Sequence, residues 1–459
     1  MSARRVMVIG LDCAPPSLVF DRFRDAMPHV TGLMERGTWG PLRSTVPPIT
    51  VPAWTTMMSG RDPGELGLYG FRNRVRGAYG LQVASAKDVP VKRAWDWLGE
   101  AGRRVAVLFV PLTWPPPPVR GHAVSCFLWP GPDRPWTFPA GFADEITERF
   151  GPYRADVPHF RSDEPERILR DVRDMTEQHF DIARWVWAEK RPDFLMMVEM
   201  GPDRLHHALW HRFAADGAAE PRWIEAARDY YGLLDRRIGE LVRDVGEDTT
   251  VLVVSDHGAR TMEGGVRINE WLRTEGWLAL DPVPGAPRPW SEARVDWGRT
   301  RAWGEGGYYA RIFLNVRGRE PQGVIAPERY EAERERLAEA LTHMRGPDGA
   351  PLGNRVVRPD VLYRTTRGTP PDLMVFFGDL RLRSLGTVGP GPVFVADDDR
   401  GLDGCNHDWD GIFVMAGAGA PARGHTGGLQ IVDVARTVLG LMDTRAPDGL
   451  QGRDWSRSP

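Results

Sequence analysis

The chain has 459 residues, of which 42% are hydrophobic and 26% charged, and its formal net charge is −3. This is the composition of a folded enzyme of one large α/β core with an insertion, or of two or three domains, and it excludes a disordered chain or one whose overall field would attract nucleic acid polymer or an anionic membrane. The only cysteines, Cys13, Cys126 and Cys405, are odd in number and far apart, which argues against a disulfide framework and suits a reducing compartment.

The N-terminus enters an apolar run that Asp12 interrupts after a few residues, too soon for a signal-peptide core or a membrane span. The expectation is therefore a cytoplasmic protein without a membrane partner, its oligomeric state open. Arg5-Val-Met-Val-Ile-Gly-Leu reads as a buried strand delivering Asp12. Met27 to Gly40 predicts a helix and turn. Prolines 47, 48 and 52 force an extended path up to Thr50, and helical character begins at Ala53. Thr50 thus falls just before a helix N-terminus, where its hydroxyl is either an N-cap or a nucleophile beside an anion-binding turn.

Gly60 to Gly80 is loop-like and rich in arginine. Val105 to Val110 is a second buried strand, followed by a stiff run at Pro115 to Pro118. Ile168, Val172, Met175, Ile182 and Val186 mark one face of a helix over 166–190. Phe194 to Glu199 is a further strand, and beyond it Asp203 and His207 lie one helical turn apart, so both can reach one metal. His206 and His211 are neighbouring decoys, though His211 continues the same face. Arg222 to Val245 is an amphipathic helix leading into Val251-Leu-Val-Val-Ser-Asp-His-Gly, a strand that ends in Asp256 and His257. From residue 259 to 398 the strand-helix alternation weakens and Pro, Gly, Trp and Arg dominate, as in a cap over the sheet. His407 precedes another core strand, and Ile431 to Met442 closes the domain as a helix.

With Asp12, Thr50-Val-Pro, Pro202-Asp203-x-x-x-His207, Asp256-His257-Gly258 and His407 in this order, the chain resembles the alkaline phosphatase superfamily, on the branch of type I phosphodiesterases and nucleotide pyrophosphatases. The resemblance implies an α/β three-layer sandwich with a largely parallel central sheet, residues 1–258 and 399–459 forming the core and 259–398 a cap that selects substrate. It implies two divalent metals, zinc or alternatively manganese: one held by Asp203, His207 and His407, the other by Asp12, Asp256, His257 and Thr50. Thr50 would be the nucleophile of a phosphodiester or phosphomonoester hydrolase and would pass through a phospho-threonine.

The pattern also departs from its relatives. The slot of the asparagine with which nucleotide pyrophosphatases hold a phosphate oxygen falls on Phe71, leaving Arg72 or Asn73 to substitute. Arg311 is a further candidate for substrate binding, as are Arg74 and Arg260. Thr50, Pro52 and Trp54 occupy the slots that sulfatases need for formylglycine formation, which disfavours that activity. The expected partner is a small phosphate ester. Two other readings remain: a phosphoryl transferase of the cofactor-independent phosphoglycerate mutase type, and a non-catalytic metal-binding relative.

Overall fold

The computed structural model describes residues 4–214, 219–396 and 401–457. The expected boundary between residues 398 and 399 lies outside them. The chain divides into two compact units, one of Met1–Leu66, Ala84–Ala259 and His407–Pro459, the other of Gly67–Val83 and Arg260–Asn406.

The first unit is built on β1 (Arg5–Leu11), β2 (Thr38–Arg43), β3 (Val105–Leu108), β4 (Gly121–Val124), β5 (Phe194–Glu199), β6 (Thr249–Val254) and β7 (Asp410–Gly417). They lie side by side in the order β2-β7-β6-β1-β5-β3-β4. β6, β1, β5, β3 and β4 are mutually parallel, while β7 runs antiparallel to both β6 and β2. Strands such as Phe194-Leu-Met-Met-Val-Glu199 and Thr249-Thr-Val-Leu-Val-Val254 are buried at every position, as a strand covered on both faces must be.

The covering helices are α1 (Pro28–Glu35), α2 (Thr50–Ser59), α3 (Pro165–Trp185), α4 (Gly201–Phe213), α5 (Pro221–Val245) and α6 (Asp433–Leu441). α1, α3, α4 and α5 pack as one group, and α2 packs with α6 as another. The result is the expected α/β sandwich with a largely parallel sheet.

This topology brings the chemistry to one edge. The carboxyl ends of β1, β5 and β6 coincide because the strands are parallel and in register, Gly10 lying opposite both Val198 and Val254. The reversed β7 begins at that edge, with His407 just upstream, and β2 ends there, Arg43 pairing with Asp410, before the chain turns into α2.

The second unit has its own core. Strands Ala302–Glu305, Ala310–Leu314, Leu373–Phe376 and Arg355–Val357 form an antiparallel sheet that packs with helix Tyr330–Thr342 around Trp303, Phe313, Leu337 and Leu341. The tryptophans of this region that the structure buries, Trp277 and Trp303, are core residues. The segment from Gly60 to Gly80 is less loop-like than expected: it holds a short helix at Pro63–Leu66 and the hairpin strand Arg72–Arg74, paired with Leu81–Val83. That hairpin belongs to the second unit for a physical reason. Arg74 lies 2.8 Å from buried Glu320 and against the Trp303 face, and Tyr79 stacks on Trp297 at 3.5 Å.

Candidate active site

Asp12, Thr50, Asp203, His207, Asp256, His257 and His407 all lie in the first unit at that sheet edge, each nearly or wholly buried. Asp12 follows β1, Asp256 and His257 follow β6, and Asp203 and His207 sit in the first two turns of α4. Their one-turn spacing does what a helix dictates, placing His207 Nε2 3.2 Å from Asp203 Oδ1. His407 Nε2 is 3.9 Å from the same oxygen. His257 Nε2 lies 3.2 Å from Asp256 Oδ2 and 3.7 Å from Asp12 Oδ1. Potential ligand atoms of Asp203, His257 and His407, and of Asp12, Asp256 and His257, fall within 4.8 Å of one another, so His257 is common to both groups. Its ring stacks on that of His407, centroids 3.7 Å apart.

Thr50 differs from its expected place by one residue. It is the first residue of α2, with Ile49 as N-cap, because the first turn tolerates Pro52. Its hydroxyl caps nothing: Thr50 Oγ1 faces His257 Nε2 at 3.3 Å. The amides of Thr50 and Val51 have no acceptor within the helix and carry the positive end of its dipole. Gly60, at φ +60°, ends α2 in the left-handed conformation that favours glycine.

The imidazoles are held in one orientation. His257 Nδ1 donates to the Gly258 carbonyl at 3.0 Å and His407 Nδ1 to the Pro48 carbonyl at 2.8 Å, so each points a lone pair on Nε2 into the cluster. Burial lowers both rings' pKa, that of His257 to about 4, and the neighbouring His257 and His207 depress His407 further. Burial and the neighbouring carboxylates hold Asp12 and Asp256 well above the usual carboxylate range. Burial opposes ionisation of Asp203 too, but His207 and Arg204 outweigh it and its pKa falls well below the usual range.

Asp12 Oδ1, Asp203 Oδ1 and Asp256 Oδ2 are buried oxygens that accept no hydrogen bond among the described residues. Three carboxylates so arranged, with lone pairs of neutral imidazoles among them, are costly to bury without a cation, and they form the oxygen and nitrogen donor set of a divalent metal centre. The residues present therefore fit bound metal.

Sequence reasoning missed Trp54 and Arg204. Trp54 Nε1 donates to Asp12 Oδ2 at 2.6 Å. The sequence shows only that Trp54 lies one helical turn beyond Thr50, not that it reaches Asp12, 42 residues away. Arg204 binds Asp203 Oδ2 and forks onto Asp156, Nε to Oδ1 at 2.5 Å and Nη2 to Oδ2 at 3.0 Å. Asp156 is remote in sequence and carried no signal.

The decoy His206 is a core residue, bonded to the Tyr231 hydroxyl at 3.0 Å, and its pKa is lowered to about 3 by burial. The Cys13 thiol donates to the Gly258 carbonyl. Arg72, Asn73 and Arg311 lie in the second unit. Asn73 Oδ1 accepts the Tyr69 amide at 2.8 Å, Arg311 donates to the Arg72 carbonyl, and the Arg72 side chain is exposed. Arg260 donates to the Asp379 carbonyl.

Parallel strands thus deliver buried Asp and His to one edge beside a helix-borne threonine, on a fold of the alkaline phosphatase type. The chain belongs to the type I phosphodiesterase / nucleotide pyrophosphatase family, whose model matches residues 6–388, and is a hydrolase of phosphoric esters. The match stops short of His407, whose place in the cluster rests on geometry. No curated protein matches the chain.

Solved structures share the fold at low identity. Human ectonucleotide pyrophosphatase / phosphodiesterase 5 is 13% identical, with 98% of this chain and 97% of that one covered and a TM-score of 0.55. An inactive threonine-to-alanine variant of the murine protein, in complex with AMP, is likewise 13% identical, covering 97% and 96%, TM-score 0.55. Phosphonoacetate hydrolase from Sinorhizobium meliloti 1021, in complex with phosphonoformate, is 16% identical, covering 96% of each chain, TM-score 0.61.

Proposed function

We propose that the protein is a two-metal phosphohydrolase that cleaves a small organic phosphodiester or phosphomonoester through a phosphorylated Thr50. The observation that carries this reading is the Thr50 hydroxyl at the start of α2, 3.3 Å from His257 Nε2 and beside three buried carboxylates. The inactivity of the murine relative's threonine-to-alanine variant supports it.

Asp203, His207 and His407 would hold one divalent cation, and Asp12, Asp256, His257 and Thr50 a second. Zinc is preferred, because nitrogen donors and sparse carboxylate oxygens suit it better than magnesium or calcium. Bound metal supplies Lewis-acid charge that lowers the pKa of a hydroxyl and offsets charge on a phosphoryl oxygen. Thr50 Oγ1 attacks phosphorus as the bond to the leaving oxygen breaks, and water then attacks the phospho-threonine, releasing phosphate or a monoester and restoring the hydroxyl. The first-turn amides of Thr50 and Val51 donate to the phosphoryl oxygens in both steps. His257 and His407, fixed through Nδ1, keep their Nε2 lone pairs directed at the centre.

The second unit is assigned to substrate selection. Of Arg72, Asn73 and Arg311, the last two already serve the hairpin, so Arg72 is the first to test for holding a distal substrate oxygen. The reaction is placed in the cytoplasm on its cysteine usage.

The test is elemental analysis of the purified chain, paired with hydrolysis of p-nitrophenyl phosphate and bis-p-nitrophenyl phosphate before and after chelation. About two zinc or manganese ions per chain, with chelator-sensitive release of nitrophenol, supports the proposal, and the faster substrate identifies the ester class. A chain that neither binds metal nor releases nitrophenol after metal is restored is a non-catalytic relative.

A further inference from the structure

Each of the three metal-facing carboxylates has one oxygen engaged and one directed inward. Asp12 Oδ2 accepts Trp54 Nε1–H at 2.6 Å, Asp256 Oδ1 accepts the Cys13 amide at 3.3 Å, and Asp203 Oδ2 accepts Arg204 Nη1–H. The oxygens left over, Asp12 Oδ1, Asp256 Oδ2 and Asp203 Oδ1, accept no hydrogen bond among the described residues. The donors come from three different places: the helix that carries the nucleophile, the turn after β1, and the residue beside Asp203 itself.

We infer that Trp54 and Arg204 are positioning residues that restrict Asp12 and Asp203 to binding metal through a single oxygen, and so set the site's preference for a metal of low coordination number. This rests on the two-metal reading above. A carboxylate free on both oxygens can chelate a large cation, whereas one with an oxygen already bonded contributes a single ligand atom, as tetrahedral zinc requires. Outer donors of this kind orient a metal ligand and tune its affinity.

Both restraints are rigid. Trp54 is fully buried, and its ring lies so close over β1 that a Cβ on Gly10 would come within 2.5 Å of it. Only glycine at position 10 leaves room for the indole to reach Asp12. Because Trp54 and Thr50 share one face of α2, the same hydrogen bond ties the nucleophile's helix to a metal ligand. Arg204 is held by the fork onto Asp156, so its contact with Asp203 does not depend on a mobile side chain.

The two residues act on different carboxylates, which makes the inference testable one metal at a time. The full-length chain would be stripped with chelator and titrated with zinc and with manganese by calorimetry, as wild type, Trp54→Phe and Arg204→Lys, with the unfolding temperature of each metal-free protein measured in parallel. Trp54→Phe keeps a buried aromatic ring and loses the N–H. It is expected to weaken zinc at one of the two sites by roughly 10–100-fold, to narrow the zinc-to-manganese preference there, and to leave the other site unchanged. Arg204→Lys is expected to do the same at the other site. A merely structural role would weaken both sites together, in step with the unfolding temperature, and would overturn the inference. So would wild-type affinity and preference in both variants while the wild type binds two metals. A wild type that binds no metal would remove the two-metal reading itself.

Discussion

Thr50 shows how one residue's meaning depends on what its side chain faces. A threonine at a helix start is ordinarily a cap, yet here the hydroxyl faces His257. Thr50→Ala is expected to cut turnover by roughly 10³-fold or more while metal content stays near wild type, because Asp12, Asp256 and His257 remain to hold the cation that Thr50 would share. Steady-state kinetics with elemental analysis checks it, and undiminished turnover would remove Thr50 from the nucleophile's role. Asp256→Asn is expected to lose metal and activity together, because an amide oxygen cannot replace a carboxylate that faces His257 at 3.2 Å. Full metal retention in that variant would count against Asp256 as a ligand.

Among elements, α4 carries both Asp203 and His207, and its start is held by a buried carboxylate. Glu199, at the end of β5 and fully buried, accepts the Gly201 amide at 2.8 Å, the Thr176 hydroxyl at 3.0 Å and His179 Nδ1 at 3.0 Å. His179 Nε2 is in turn 2.8 Å from the Arg154 carbonyl. One carboxylate thereby joins β5, α3 and α4 at the start of the helix that carries Asp203 and His207. Glu199→Gln keeps the shape but presents an NH₂ to donors that need an acceptor. Urea denaturation is expected to show a loss of about 3 kcal/mol. A change below about 0.5 kcal/mol would mean that the network is not holding the helix.

At the scale of the whole molecule, a buried set of three carboxylates and three imidazoles makes stability depend on what binds there. Ligand that binds only the folded chain stabilises it by RT ln(1 + [L]/Kd), about 4 kcal/mol at a thousandfold excess over Kd. Chelation is therefore expected to lower the unfolding midpoint, and restoring zinc to recover it, as read by differential scanning calorimetry. A midpoint indifferent to chelator and zinc would show that the cluster is satisfied without metal. No described helix is long and apolar enough to cross a membrane.

By itself the sequence determined the sheet strands that carry the site and the residues that follow them. Continuous apolar runs such as Phe194–Glu199 and Val251–Val254 allow few alternatives to a buried strand, and an acid at such a run's end is conspicuous. The one-turn spacing of Asp203 and His207 was equally legible, since helix geometry alone makes them neighbours. Only the tertiary structure decided the rest. It turned β7 against its neighbours so that His407, remote in sequence from every other residue of the cluster, arrives at the same edge. It joined the hairpin at 72–83 to the second unit through Arg74 and Tyr79. It brought Trp54 over Gly10 onto Asp12, and Asp156 onto Arg204. These are contacts between distant segments, decided by packing and by the need to satisfy buried charge, and no local periodicity encodes them.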